Sequence, residues 1–255
     1  MYPHDAPVAV VFGILGLSIA ALITFVIGIR RAAQVEGASA GIVRRRTIFA
    51  AIGATAWAAA FGVAAASGVL RRVDVVPPPM APMLVVILGS AIALGLSRVG
   101  GSLARNIPLA VLIGVQAFRL PLELVMHEAA NAGVMPVQLS FSGLNFDIVT
   151  GTTAIVLAPL VAMGRAPKEL VIAWNVYGLA MLTIIAGIAV ATAPFVRAFG
   201  DGSVNTWITY VPFVWLPAVL VPFALAGHIV VLRSLAFQTR PHAAPAIRGS
   251  IRSAA

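Results

Sequence analysis

Seven long apolar runs constrain what this chain can fold into more than any other feature of its sequence. They cover residues 8–29, 47–70, 80–97, 107–128, 147–163, 169–193 and 211–232. A run of about 20 apolar residues matches the hydrocarbon thickness of a bilayer. The chain is 60% hydrophobic and only 10% charged, which is far more apolar surface than one globular core could bury. We therefore predict an all-α integral membrane protein with seven transmembrane helices.

The basic residues between these runs predict the orientation. Thirteen lie in the loops after the first, third and fifth runs and in the C-terminal tail, and three lie in the alternate loops. Because basic loops stay in the cytoplasm, the N-terminus is predicted outside and the C-terminus inside. The N-terminal flank MYPHDAPVAV has no basic segment, so the first run is expected to be a permanent span.

Residues 1–233 are predicted to form one membrane domain, followed by a basic, flexible cytoplasmic tail over residues 234–255. The net charge of +9 is then explained by loops at a lipid surface, and no nucleic-acid partner is predicted. Only Lys168 is a lysine among 17 basic residues, a composition typical of GC-rich bacterial genomes. We expect a multi-pass protein of a bacterial inner (plasma) membrane.

The fourth run contains ionisable residues that a bilayer disfavours, in the stretch FRLPLELVMHE. Helical spacing places one stripe of polar side chains there: Gln116, Arg119, Glu123, His127 and Asn131. Arg119 falls near the midplane and Glu123 one turn further out, so Glu123 is its expected partner. Charges at this depth face a bundle interior or a wet cavity. The stripe predicts either a structural ion pair or a pocket open to the outside.

The loop after this run is predicted to cover its outer end. The sequence MPVQLSFSGLNFDIVTG, residues 135–151, alternates apolar and polar residues on both sides of Ser142-Gly143. This pattern is typical of a short β-hairpin between the fourth and fifth helices, with an extended surface segment as the alternative. Asp147 suits the N-cap of the fifth helix. Asn145 and Asp147 would also face the polar stripe across an outer cavity.

Three strings in the C-terminal half carry a resemblance: FRLPLELVMHE, LNFDIVTGTTA and WLPAVLVPFALAGH. They resemble a group of bacterial seven-span membrane proteins with no assigned activity. The resemblance implies the seven-helix architecture and supports the choice of residues, and it implies no chemistry.

Two further candidates lie in the last two runs. Asn175 is placed to bond a neighbouring helix, and His228 follows three prolines spaced five residues apart. Counting 1.5 Å per residue from opposite membrane faces separates His127 from His228 by about 24 Å in depth. The two histidines are therefore predicted not to share a metal or a haem. A zinc site of Glu123, His127 and Asp147 is a one-histidine alternative, and no cofactor is predicted.

Several activities are excluded by residues that the chain lacks. There are no cysteines, which excludes disulfides, thiol catalysis and iron–sulfur clusters. Lys168 lies in a loop, so no lysine in the last run can hold retinal as a Schiff base. No phosphate-binding, nucleophile-elbow or dinucleotide motif occurs in a suitable context.

The leading hypothesis is a protein that binds or transports a small solute or protons through an outward-facing polar pocket. Arg119 would anchor an anion or pair with Glu123, while Glu123 and His127 would exchange protons. One alternative is an accessory subunit or homo-oligomer, with the small residues of the second run as contact surface. The other is a metal-dependent membrane hydrolase, for which no catalytic residues are assigned.

Overall fold

A computed structural model describes residues 6–238 of the chain. Residues 1–5 and most of the predicted tail, 239–255, lie outside the described residues. The described part contains nine α-helices and no β-strand. They are α1 (Val8–Val35), α2 (Ala40–Ala66), α3 (Met80–Leu96), α4 (Arg98–Asn106), α5 (Leu109–Gly114), α6 (Arg119–Asn131), α7 (Ile148–Ala162), α8 (Lys168–Ala191) and α9 (Val221–Gln238).

Five helical stretches are long and apolar enough to cross a membrane. They are Val8–Val35, Ala40–Ala66, Leu109–Asn131, Lys168–Ala191 and Leu216–Gln238. Helices α3 and α4 give a sixth when taken as one span broken by a 53° bend. The described residues therefore form an all-helical protein with five or six membrane-length helices. Helix α7, at 15 residues, is shorter than these.

The bends come from identifiable residues. Between α3 and α4, the Ser97 hydroxyl accepts hydrogen bonds from the N–H groups of Val99 and Gly100, which starts a new helix. Between α5 and α6, a 3₁₀ turn over Val115–Phe118 precedes Pro121. Proline cannot donate to the carbonyl four residues earlier, so a tighter turn at this place is expected.

Helix α9 lies at the centre of the bundle and contacts α3, α4, α5 and α8. Its Leu220 end joins an apolar cluster that includes Ile87, Met126 and Trp207. Its other end, at Val231, joins a second apolar cluster. His228 lies on α9 between these two ends, so polar side chains around it are enclosed by apolar packing.

Helix α2 packs on α1 but buries very little of its surface. Ala65 is its only buried residue, and 6% of its most apolar window is buried. A helix with so little buried surface faces either lipid or another protein over most of its length.

The loop from residue 132 to 147 enters the bundle, and the predicted β-hairpin is wrong. A 3₁₀ turn over Val137–Leu139 is followed by tight turns. The alternation has another cause: Asn145 and Asp147 are buried, whereas Leu144 and Phe146 are about half exposed. The polar side chains of residues 144–147 therefore face the protein interior, and the apolar ones face outward.

Candidate functional site

Buried polar side chains converge where α6, the start of α7, α8 and α9 meet. We call this group the buried polar cluster. Its members are Gln116, Arg119, Glu123, Asn145, Asp147, Thr150, Asn175 and His228. Each is at most 4% exposed, so the cluster is closed to solvent. The predicted pocket open to the outside is therefore absent from this conformation.

Arg119 forms a buried ion pair with Asp147. Its Nε atom donates to Asp147 Oδ2 at 2.5 Å, and Nη2 contacts the same oxygen. The predicted pairing with Glu123 is therefore wrong. A close approach of the backbones explains the choice: a Cβ on Gly151 would lie only 2.9 Å from the carbonyl carbon of Arg119. With α7 starting so close to Arg119, Asp147 reaches the guanidinium first.

Glu123 is held by an amide. The Nδ2 atom of Asn145 lies 2.8 and 2.9 Å from the two carboxyl oxygens of Glu123. The same side chain accepts a hydrogen bond from the backbone N–H of Asp147 at 3.1 Å through Oδ1. Within residues 6–238, Glu123 forms no salt bridge. Asn145 thus connects Glu123 directly to the segment that carries the ion pair.

His228 is the third group bound by this network. Arg119 Nη1 donates to His228 Nε2 at 2.8 Å, because a guanidinium has donors only. The proton of the imidazole must then be on Nδ1, which donates to Asn175 Oδ1 at 2.9 Å. These two bonds define a neutral imidazole with the hydrogen on Nδ1.

The predicted depth of His228 is wrong relative to Arg119, because these two side chains are in contact. The predicted separation of His228 from His127 is not contradicted, because the two rings have different partners. The chain over residues 211–214 forms turns, and the membrane-length helical stretch runs from Leu216 to Gln238, six residues past the predicted end. His228 therefore lies one residue from the middle of its stretch. Arg119 likewise lies one residue from the middle of Leu109–Asn131. Both side chains are at mid-depth, where they meet.

Helix α8 supplies a wall of which the sequence identified only Asn175, which bonds His228 on a neighbouring helix as predicted. A Cβ on Gly178 would overlap the His228 ring and lie 3.0 Å from Thr150 Cγ2. Trp174 packs against the same ring at 5.3 Å between centroids and donates to the Thr150 carbonyl at 3.3 Å. Asn175 and Gly178 are three residues apart, and this shared helix face was the available signal.

The outer half of the predicted stripe is not part of the cluster. His127 Nδ1 lies 3.3 Å from the hydroxyls of Ser140 and Ser142, and its ring stacks on Phe141. Asn131 is exposed at the end of α6. The described residues contain no group of three or more histidines and carboxylates able to hold a metal ion. The alternative zinc set of Glu123, His127 and Asp147 is therefore not assembled.

The inner side of the cluster has unused hydrogen-bonding capacity. Gln116 Nε2 donates weakly to the Ala224 carbonyl at 3.4 Å. Gln116 Oε1 and Asn175 Nδ2 are buried without a hydrogen-bond partner among the described residues. Asp147 Oδ1 and Thr150 Oγ1, in the same cluster, likewise have no hydrogen-bond partner among the described residues. Buried polar atoms are nearly always satisfied, so these four positions are where the cluster can accept a further polar group.

Comparison of the chain with protein-family models, with curated proteins and with solved structures finds no match.

Proposed function

We propose that the chain is a seven-helix membrane protein, with its N-terminus outside, that moves protons or a small solute coupled to protons. Glu123 is the group that carries the proton. The observation behind this proposal is a buried carboxyl held by an amide, next to Arg119, whose ion pair is with a different carboxylate, that of Asp147. Ionisable groups at membrane depth are costly and are typical of proton pathways.

A charge balance supports Glu123 as the carrier. Arg119 and Asp147 cancel each other, and His228 is neutral in its observed bonding. The cluster is therefore neutral when Glu123 is protonated and carries one uncompensated negative charge when it is not. An uncompensated charge in a low-dielectric interior is unfavourable, so loss of this proton favours rearrangement or entry of a cation.

The rearrangement we propose is an exchange of partners at Arg119. Glu123 lies one helical turn from Arg119, which is within reach of its side chain. An ionised Glu123 would compete with Asp147 for the guanidinium. Asn145 is bonded to both residues: its Nδ2 atom donates to the Glu123 carboxyl, and its Oδ1 atom accepts from the backbone N–H of Asp147. Release of Asp147 would loosen the start of α7 and open the cluster.

The test is proton movement by the purified chain in liposomes that contain a pH-sensitive dye. Glu123→Gln keeps the shape and the hydrogen-bonding oxygen of the side chain but cannot release a proton. We expect it to reduce proton flux to the level of empty liposomes. Glu128→Gln, an exposed position on the same helix, is the control and should behave as wild type. Equal flux through Glu123→Gln and wild type would refute the proposal.

A second candidate, an accessory subunit or homo-oligomer, is supported by the exposed and alanine-rich α2. Purification in mild detergent separates the two. A stoichiometric membrane partner supports the subunit, whereas a lone monomer that moves protons contradicts it.

A further inference from the structure

A cavity of about 990 Å³ lies apart from the buried polar cluster, at the end of the bundle opposite the loop that follows α6. Its wall is formed by the C-terminal ends of α1 and α3, the first turns of α2, helix α4 and part of α9. Five arginines line it: Arg45, Arg46, Arg98, Arg105 and Arg233. Among residues 6–238, the only lining carboxylate is that of Glu36, so the described lining carries a net charge of +4.

Only part of this charge is compensated within the protein. Glu36 pairs with Arg46 at 2.5 Å. Arg233 Nη1 donates to the carbonyls of Gly95 and Ser97 at 2.6 and 2.8 Å, which fixes its guanidinium at the cavity wall. Arg45 and Arg98 have no ion-pair partner in the described part of the chain. An anion is therefore the complementary ligand.

Two of the three arginines at the other end of the bundle differ in this respect. Arg72 pairs with Asp74 at 2.7 Å, and Arg197 pairs with Asp201 at 2.8 Å. The third, Arg71, has no ion pair among the described residues and lies over the Tyr210 ring at 4.5 Å. What distinguishes the cavity is that several arginines without a carboxylate partner line one space.

The part of the cavity farthest from its arginines is apolar and continues along α2 toward the middle of the bundle. Phe25, Phe49, Ala50 and Leu94 line both this cavity and an adjoining one of about 360 Å³, which reaches Trp57. From Arg45 to Trp57, α2 rises about 18 Å. Half the hydrocarbon thickness of a bilayer is about 15 Å. The crevice therefore has a charged mouth and an apolar groove long enough for one acyl chain.

We propose that this crevice binds an anionic glycerophospholipid. The phosphate would sit between Arg45 and Arg98, with Arg46 and Arg233 beside it, and one acyl chain would follow the groove along α2. Gly53 borders the groove, and a Cβ there would meet no atom within 4 Å. The missing side chain leaves room for the acyl chain. This site is separate from the buried polar cluster and does not depend on the function proposed for it.

The test is competition between lipids on the delipidated full chain, followed by native mass spectrometry. Phosphatidylglycerol and phosphatidylcholine with identical acyl chains are offered in equal amounts, and wild type should retain phosphatidylglycerol. Each arginine near a headgroup contributes about fivefold, so Arg45→Gln with Arg98→Gln should reduce the preference about 30-fold. The charge-matched control, Arg31→Gln with Arg44→Gln, alters exposed arginines that do not line the cavity and should keep most of the preference.

The groove is tested separately. Gly53→Leu places a side chain in the crevice, at a position where its Cβ meets no atom within 4 Å, and should lower retention of phosphatidylglycerol. Gly187→Leu, at a similarly open position on α8, should not. Thermal unfolding of each variant confirms that it is folded. Three results would overturn the proposal: no preference in wild type, the same loss in both double variants, or displacement of the lipid by glycerol phosphate at equal concentration. The last result would indicate a site for a free anion.

Discussion

The Arg119–Asp147 pair allows the energetics of the buried polar cluster to be measured. Removing one member of a buried ion pair leaves an unpaired charge and costs about 3–5 kcal/mol. Asp147→Leu should show this loss. Arg119→Met should lose more, because it also leaves His228 Nε2 without its donor, which adds about 1–3 kcal/mol.

The double variant distinguishes pairing from simple packing. With both charges removed, the penalty that remains is the unsatisfied His228 nitrogen, so we expect a total loss of about 1–3 kcal/mol. Simple addition of the two single variants would give at least about 7 kcal/mol. The measurement is reversible unfolding in mixed micelles, followed by circular dichroism, for wild type, both single variants and the double variant.

The exposed pair Arg197–Asp201 is the control for this cycle. Its side chains are 52% and 83% exposed, so the same cycle there should give a coupling of about 0.2–1 kcal/mol. Additive losses at Arg119 and Asp147 would refute the reasoning, because they would mean that neither charge depends on the other inside the bundle.

Two further predictions concern other parts of the chain. Gly178→Ala should cost about 1–3 kcal/mol of stability, because the added methyl overlaps the His228 ring; Gly187→Ala on the same helix meets open space and should be neutral or slightly stabilising in the same unfolding assay. The Ser102 hydroxyl, followed by a neighbouring guanidinium, holds the pKa of Glu36 below its ordinary value of 4.5. A depressed folded pKa stabilises the protein above pH 4.5, and this contribution is lost as the pH falls through the lower folded pKa. Glu36→Gln should flatten the stability profile in that acidic window and leave its neutral part parallel to wild type.

The sequence predicts the helical membrane architecture well, because the runs of apolar residues that a bilayer requires are visible without any knowledge of contacts. It also identifies the polar residues of α6, since Arg119 and Glu123 stand out against apolar neighbours. The partners of these residues were assigned less well. Glu123 is the nearest carboxylate to Arg119 along the same helix. A sequence gives spacings within one helix but not distances between helices, so it does not reveal that Asp147 is closer.

The depth of His228 differs from the prediction for a physical reason. The prediction requires a uniform helical rise over residues 211–232, but this segment begins with turns and with a π-helical turn over Leu216–Leu220. The straight helix is therefore displaced toward the C-terminus, and His228 moves to the middle. The loop over residues 135–151 was mispredicted for a different reason. Its alternation indicates two different faces, but the sequence alone does not say whether the apolar face contacts a protein core or lipid.

The choice of partner at Arg119 follows from the short helix α7. A full-length helix beginning at the outer surface would place Asp147 at the interface and leave Arg119 to Glu123, as the sequence predicts. Because the loop before α7 descends into the bundle, Asp147 instead reaches mid-depth and takes the guanidinium. One cation then has two carboxyl groups within reach and pairs with one of them, Asp147. The surplus carboxyl can stay neutral only by holding a proton. The loop before α7 therefore positions the Asp147 carboxylate at Arg119. Under the proposed function, this leaves Glu123 available for proton exchange.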